Sequence, residues 1–188
     1  MQVKQQWLTG FIFSFFLLIS TGCAQHHVVA PVDNDYPYSA NYDESKYVAH
    51  LPRQMDTGNE KLVLVDPVIH AWGAYDANGQ LVRGGIATAG ADYCYDEKRP
   101  CRTDAGTFRI YYERGEDCVS KIYPIHKGGA LMPYCMFFHE GQSLHGSPDN
   151  MLVETNISHG CVHIRIPDAE WLHDQFVKIG TKVIIMPY

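Results

Sequence analysis

The amino-acid sequence predicts a mainly β domain, a mixed sheet or β-sandwich with one main helix near the C-terminus. Short runs rich in β-branched and aromatic residues alternate with turn residues along the chain. The pair Asn78-Gly79 is typical of a tight hairpin between two such runs. A clear helical periodicity occurs over residues 167–178. Strands therefore dominate, and we expect the helix to cover part of a sheet.

The first half of the domain is predicted to form three strands. Residues 61–65 are rich in Val and Leu and are followed by Asp66-Pro67, a turn signal. Residues 71–75 form the second run, and the Asn-Gly turn leads into the third, residues 81–89. Glycines inside the third run indicate a bulge or close backbone packing.

The second half adds three more strands. A turn followed by alternating apolar residues predicts a strand over 103–110. Apolar runs predict strands over 131–138 and 181–188, the last apolar enough to lie inside a sheet.

The helix has its own start and stop signals. Pro167 suits a first helical turn, and Gly180 ends the pattern. Ala169, Leu172 and Phe176 recur at helical spacing, so they are predicted to form the buried face.

Composition is that of a folded domain without a nucleic-acid partner. The 188 residues are 46% hydrophobic and 19% charged, which places the chain outside the disordered class. The net charge is −6, and no Lys/Arg-rich run is present. A surface that binds phosphate backbones needs the opposite charge balance.

The N-terminus carries an export signal. The apolar run at residues 11–19 is too short to span a bilayer and has the length of a secretory signal's hydrophobic region. Small residues precede Cys23, which resembles the end of a bacterial lipoprotein signal. We therefore expect a signal peptide over 1–22 and a lipid on Cys23 that anchors the protein to a membrane. Ser20, where that pattern prefers Leu, leaves an ordinary signal peptide as the alternative; Ala24, which is not Asp, favours the outer membrane.

Residues 23–60 are predicted to be a lipidated cysteine followed by a flexible tether, and residues 61–188 the domain proper. The segment lacks sustained periodicity and contains three prolines and scattered Asp and Asn. The segment contains four tyrosines, more than a simple spacer needs. They dock either on the domain or on another surface, and the sequence does not decide between these.

One stretch, residues 143–165, carries the chemistry. It contains the pair His145-Gly146 and the tetrad Ser158-His159-Gly160-Cys161, and twelve residues, 146–157, lie between His145 and the tetrad. A cysteine nucleophile needs a base and donors for a developing oxyanion. Cys161 is the thiol and His145 the candidate base. Backbone N–H groups near Gly160 and Cys161 are the candidate donors.

This combination resembles the L,D-transpeptidase catalytic domain (YkuD-like) that remodels bacterial peptidoglycan, including the subgroup of exported enhanced-entry proteins. Residues 103–110, with Asp104 in place of the usual Pro, and 131–138 also resemble that family. The resemblance implies its fold and its reaction on peptidoglycan stem peptides. Cys161 would attack the carbonyl of the third stem residue, release D-Ala and pass the acyl group to an amine. With water as acceptor the activity would be an L,D-carboxypeptidase. No cofactor is implied.

The resemblance also implies roles for single residues. His145 would be general base and acid, oriented by the Gly146 carbonyl, with His159 the less favoured base. Ser158, His159 and Gly160 would shape the cysteine turn and the oxyanion site. His163 stands where relatives carry Arg or Asn, which leaves the substrate carboxylate to Arg165 or makes Arg165 a surface charge only. Tyr134 and Phe137 would line the substrate groove or pack in the core.

Cysteine parity fits a working thiol in an oxidising compartment. Beyond Cys23 there are five cysteines, so one remains unpaired if the rest form disulfides. With Cys161 free, three connectivities remain, of which we favour Cys94–Cys101 with Cys118–Cys135. Some of the four could instead stay reduced and buried.

Two rival functions use the same residues. If residues 159–163 form a strand, His159, Cys161 and His163 share a face, and with His145 they would make a zinc site of a hydrolase. A surface lipoprotein with a mainly adhesive or host-entry role is the other rival. We favour thiol catalysis without a metal.

Overall fold

The computed structural model describes residues 42–188, and its architecture is the predicted one: mostly β, with two mixed sheets and one main helix near the C-terminus. The first sheet has the strand order β3-β2-β1-β9-β4. Its strands are β1 (Leu62–Asp66), β2 (Ala71–Tyr75), β3 (Leu81–Ile86), β4 (Gly106–Arg109) and β9 (Lys182–Ile185). The second sheet has the order β5-β6-β7-β8. Its strands are β5 (Tyr112–Glu113), β6 (Met136–His139), β7 (Gln142–Ser147) and β8 (Val162–Arg165).

Strand β1 lies at the centre of the first sheet and is buried on both faces. It pairs antiparallel with β2 and parallel with β9, so the last strand of the chain closes onto the first. Val63 and Val65 point into the core between the sheets, whereas Leu62 and Leu64 point to the opposite face. Burial on both faces explains why this run is apolar without alternation.

The second sheet positions the chemistry because its inner and outer faces differ. Leu144, Val162 and Ile164 point inward and join the central core. Because side chains alternate along a strand, Ser143 and His145 of β7 point to the outer face. Strands β7 and β8 are parallel, and most of the interval between the His-Gly pair and the tetrad belongs to the crossover that joins them, residues 148–161.

The main helix closes one end of the core. Helix α2 spans Ile166–Trp171 and continues as a π-helical turn, Leu172–Phe176. Its predicted buried face, Ala169, Leu172 and Phe176, is buried in the core between the sheets. Four predicted strands are shorter than expected. The run 81–89 is a strand only to Ile86, 131–138 only from Met136, 103–110 only over Gly106–Arg109 and 181–188 only over Lys182–Ile185.

The segment before the first strand is folded, which corrects the predicted tether over part of its length. Helix α1 (Glu44–Val48) packs on β2 and β3, and Tyr47, Val48 and Leu51 are buried on the outer face of the first sheet. The apolar side chains of 42–60 give this segment the surface that a solvated spacer lacks. The predicted signal peptide 1–22, the lipid site Cys23 and residues 24–41 of the tether lie outside the described residues.

Both favoured disulfides are present. Cys94 is joined to Cys101, and Cys118 to Cys135, while Cys161 is a free thiol. Each disulfide closes a loop beside the second sheet. Within residues 42–188 no helix has both the length and the apolar character that crossing a bilayer requires.

Candidate active site

The outer face of β7 and β8 brings the predicted nucleophile and base onto one surface. In the parallel register His145 lies opposite His163, and their rings are 4.8 Å apart between centroids. Cys161 immediately precedes β8, and its Sγ lies 3.6 Å from Oγ of Ser143 on β7. The sheet therefore places the thiol and the imidazole two register positions apart, on the same face of neighbouring strands.

His145 is held as a neutral imidazole with a defined tautomer. Its Nδ1 lies 2.9 Å from the Gly146 carbonyl oxygen, which can only accept, so Nδ1–H donates. The other ring nitrogen, Nε2, is then the basic one. Burial, followed by the nearby His163, lowers the pKa of His145 to about 3.

Gly146 is fixed by a close approach of backbone. Its N–H donates to the Pro133 carbonyl at 2.8 Å. A Cβ on Gly146 would lie 2.9 Å from Cα of Ile166 and 3.2 Å from Cγ of Pro133. A side chain here would displace the carbonyl that orients His145, and this explains why a glycine follows the histidine.

Cys161 is a half-buried thiol in an apolar setting. It packs against a small cluster formed by Cys118, Met132 and Cys135, with Phe137 beside it. Burial raises the pKa of the thiol, and hydrogen bonds from the side chain and the backbone of Ser143 lower it in part. With a neutral His145, these directions favour a neutral thiol and imidazole at rest over a preformed thiolate–imidazolium pair. Among the described residues, Ser143 is the hydrogen-bond partner of the sulfur.

The turn before Cys161 is fixed from its buried side. Gly160 has φ of 124°, a conformation that favours glycine. Its N–H donates to Ser158 Oγ at 3.0 Å, and Ser158 Oγ in turn donates to the Cys161 carbonyl. Thr103 Oγ1 donates to the Gly160 carbonyl at 2.9 Å. The Gly160 N–H is thus engaged inside the turn, which leaves the Cys161 N–H as the candidate oxyanion donor.

His159 points away from the thiol. Its Nε2 lies 2.8 Å from a carboxylate oxygen of Asp96, on the loop closed by Cys94–Cys101. The positive φ at Gly160 breaks the strand, so the alternation expected for His159, Cys161 and His163 does not hold. His159 is therefore not the alternative base.

The predicted zinc set does not converge. Within residues 42–188, the group of potential ligands that lies close together is Cys94, Asp96 and His159. Cys94 is in a disulfide and does not supply a thiolate. The hydrolase hypothesis thus loses its ligand set.

His163 is enclosed beside His145. Its ring donates a hydrogen bond to the Met151 carbonyl, in the crossover, and its Nδ1 is buried with no hydrogen-bond partner among the described residues. Burial lowers the pKa of His163 to about 4. The residue that replaces the family's usual Arg or Asn is thus neutral.

The remaining predicted substrate-binding residues are placed differently. Phe137 pairs with Ser143 across β6 and β7, which sets its ring beside Cys161 as a groove residue would be. Tyr134 is buried in the core, with its ring 5.8 Å from that of His173. Arg165 is 3% exposed and its guanidinium lies against the ring of Tyr42, so its contact with a substrate carboxylate stays a prediction.

Ser143 and Asp96 are site residues that the sequence did not single out. Ser143 stands two positions before His145, and period-two alternation could have placed it on the same face. Asp96 lies far from the tetrad in sequence, in a charged loop with several equivalent carboxylates, and no local signal marks it.

The comparisons with known proteins identify a family and a fold. A family model described as the L,D-transpeptidase catalytic domain matches residues 60–185. The search of curated protein sequences finds no match. The L,D-transpeptidase of Xylanimonas cellulosilytica is similar at 25% identity and a TM-score of 0.60, over 73% of this chain and 66% of that one.

Two further solved structures share the fold. The enzyme of Stackebrandtia nassauensis is 18% identical with a TM-score of 0.60, over 76% of this chain and 64% of its own. L,D-transpeptidase 3 of Mycobacterium tuberculosis, solved with a faropenem-derived adduct, is 19% identical with a TM-score of 0.55, over 68% and 60%. The chain thus spans about two thirds or less of the length of these structures.

Proposed function

The chain belongs to the L,D-transpeptidase catalytic domain family, and from that premise we propose that it is a peptidoglycan L,D-transpeptidase with Cys161 as nucleophile and His145 as general base. One observation carries the proposal: the free thiol and a neutral imidazole with a basic Nε2 lie on the same face of neighbouring strands. A thiol nucleophile needs such a base, because little thiolate exists at neutral pH when burial raises its pKa.

Acylation begins with both groups neutral. Cys161 Sγ attacks the carbonyl carbon of the third stem residue while His145 Nε2 takes the thiol proton. The carbonyl oxygen becomes an oxyanion that the Cys161 N–H is placed to bind. Collapse of the intermediate breaks the C–N bond to the terminal D-Ala, and His145 returns the proton to the departing amine. The product is a thioester on Cys161.

Deacylation reverses these roles. The amine of a second stem attacks the thioester carbonyl and His145 takes a proton from it. The C–S bond then breaks, and the sulfur recovers the proton from His145. Transfer to the amine forms the cross-link, whereas attack by water gives the carboxypeptidase outcome. Choice of acceptor decides between these two activities.

Export and anchoring are a separate part of the proposal. We propose a signal peptide over 1–22, a lipid on Cys23 and residence outside the cytoplasm. Two disulfides beside a free thiol support an oxidising compartment. Replacing Cys23 by Ala should release the protein from membranes. Unchanged membrane association would refute the anchor without affecting the catalytic proposal.

The catalytic test is incubation with purified muropeptides, followed by mass spectrometry. Loss of D-Ala with new cross-linked products supports transpeptidation, whereas loss of D-Ala alone supports the carboxypeptidase. Cys161→Ala is the matched control and should show neither. A β-lactam of the class seen in the M. tuberculosis complex, faropenem, should add covalently to Cys161 in the wild type and not in Cys161→Ala. Unchanged muropeptides with an unmodified thiol would contradict the function.

A further inference from the structure

The two disulfide-closed loops meet at His159. From the loop closed by Cys94–Cys101, the carboxylate of Asp96 accepts from His159 Nε2, at 2.8 and 3.1 Å to its two oxygens. From the loop closed by Cys118–Cys135, the ring of Tyr123 lies 4.7 Å from the imidazole between centroids. One side chain of the catalytic tetrad is thus held by two separately cross-linked loops.

The two loops also hold each other. The Tyr123 hydroxyl donates to a carboxylate oxygen of Glu97, the residue after Asp96. Arg99 Nη2 donates to the same hydroxyl at 3.3 Å, and Arg99 forms an ion pair with Glu97. Tyr123 therefore has its ring against His159 and its hydroxyl fixed by the opposite loop. Each contact is modest because these side chains are partly exposed, but a network restricts orientation more than a single pair does.

His159 is the outward anchor of the turn that ends at Cys161. Ser158 and Thr103 fix the inner side of that turn through hydrogen bonds to its backbone. Between His159 and Cys161 stands Gly160, with positive φ and no side chain of its own. Rotation of the Gly160–Cys161 peptide would move the Cys161 N–H away from the oxyanion. Immobilising His159 limits that rotation.

We propose that Asp96 and Tyr123 are positioning residues for acyl transfer, which fix His159 and thereby the Cys161 N–H that binds the oxyanion. The proposal rests on the proposed function of Cys161. It assigns a catalytic purpose to the two disulfides, since each holds a loop that supplies one contact to His159. Neither Asp96 nor Tyr123 touches the reacting atoms.

Two reactions of the Cys161 thiol distinguish a positioning role of Asp96 and Tyr123 from a purely structural role. Acylation by faropenem forms an oxyanion, whereas alkylation by iodoacetamide forms none. Asp96→Ala should slow acylation by about 10-fold to 100-fold. The upper end of this range is the effect of a small misplacement of reacting groups or of the loss of one oxyanion donor. It should leave alkylation within about twofold. Tyr123→Leu should act in the same direction with a smaller effect.

A matched control is available just before the same loop. Asp92 is an exposed carboxylate that pairs with Arg102 rather than with His159. Asp92→Ala should change neither reaction. Asp96→Asn keeps an acceptor oxygen and should recover part of the loss seen in Asp96→Ala. With muropeptides, Asp96→Ala should lower kcat and leave KM nearly unchanged, because positioning acts on the transition state.

A double-mutant cycle tests the route through His159. If Asp96 acts by holding His159, then Asp96→Ala combined with His159→Ala should cost no more than either change alone. Additive losses would overturn the proposal, as would equal loss of acylation and alkylation in Asp96→Ala. Titration of one free thiol in each variant checks that both disulfides have formed.

A failure of the proposed function would give a different result. In that case the wild type is not acylated, and the amide chemical shifts of Gly160 and Cys161 report the turn instead. Asp96→Ala should move those shifts and Asp92→Ala should not. Unmoved shifts would overturn the positioning proposal whatever the activity of the protein.

Discussion

The outer face of β8 carries two buried polar clusters that avoid the free-energy cost of an unpaired buried charge in opposite ways, one by staying neutral and the other by pairing charges. At its start, Cys161 and His163 lie beside His145, and the pKa values favour the neutral form of all three groups. At its end, Arg165 lies near a buried ion pair in which Arg83 Nη2 is 2.8 Å from Asp168 Oδ1. The side chains of that pair are 5% and 0% exposed.

The difference follows from what each residue type can do with its proton. An arginine does not deprotonate in a protein, so its burial demands a carboxylate and an aromatic surface. Here Asp168 supplies the first, and the rings of Trp171 and Tyr42 cover the guanidinium groups of Arg83 and Arg165. A histidine or a cysteine can be buried neutral instead. The neutral cluster is therefore suited to proton exchange during a reaction, and the ion pair of Arg83 and Asp168 to holding the fold, while burial raises the pKa of Asp168.

The largest expected effect tests whether proton exchange belongs to the neutral cluster. His145→Ala should slow acylation of Cys161 by about 10²–10⁴-fold, the usual contribution of a positioned general base. His163→Ala, in the same cluster, should cost much less because its ring donates to Met151 and is outside the proposed mechanism. Stopped-flow acylation by faropenem measures both. Equal losses at the two positions would mean that the roles are misassigned.

The charged cluster should respond in stability instead. Asp168→Ala leaves the buried guanidinium of Arg83 without its ion-pair carboxylate and should lower the free energy of unfolding by about 3–5 kcal/mol. Asp174→Ala, an exposed carboxylate on the following π-helical turn, should change it by less than about 0.5 kcal/mol. Denaturant unfolding measures both variants. Acylation per folded molecule should stay near wild type in each, and a catalytic loss in Asp168→Ala at full folding would break the division between the clusters.

Burial of two neutral histidines makes stability depend on pH. The pKa values of His145 and His163 fall to about 3 and about 4 in the folded protein. Below about pH 6.5 the unfolded chain binds more protons, so the free energy of unfolding should decrease as pH falls toward those values. The slope is at most about 1.4 kcal/mol per pH unit for each histidine. His163→Gln should reduce the slope between pH 6 and pH 4, and an unchanged slope would contradict its neutral burial.

The smallest expected effect concerns the thiol itself. Ser143 lowers the pKa of Cys161 through its hydroxyl and its backbone, and Ser143→Ala removes only the hydroxyl. Alkylation by iodoacetamide at neutral pH should therefore slow by about 2-fold to 10-fold, the value of one ordinary hydrogen bond. Ser147→Ala, a hydroxyl on the same strand face near His145 rather than Cys161, is the control. Faster alkylation in Ser143→Ala would show that the hydroxyl does not stabilise the thiolate.

Sequence reasoning worked where the signal is local. Val- and Leu-rich composition bounded by a turn placed β1, the Asn-Gly turn placed the hairpin of β2 and β3, and helical spacing placed the buried face of α2. The family resemblance at the His-Gly pair led to the hydrogen bond between His145 and the Gly146 carbonyl. Cysteine parity led to the two disulfides and the free thiol.

It failed where a residue's role depends on what covers it. Arg165 has no local feature that distinguishes a substrate contact from a buried cation, and the difference lies in Tyr42, whose docking surface the sequence left open. Asp96 meets His159 only because the Cys94–Cys101 loop folds back on the tetrad. Short strand β5 and helix α1 carry too few residues for a periodic pattern.

Helix α1 also lies on a mechanical route into the site. Lys46 and Tyr47 both donate to the carboxylate of Glu154, which belongs to the crossover between the catalytic strands. That crossover is in turn tied to Thr88 through Val153. Tension applied to the chain before residue 42 would therefore load the contacts of Tyr42 with Ile86 and Arg165, and then α1 and the crossover, before it loads the backbone hydrogen bonds between strands. Side-chain contacts break under less force than the backbone hydrogen bonds between strands. Helix α1 and the crossover, which contacts His163 through Met151, would therefore detach while both sheets are still intact.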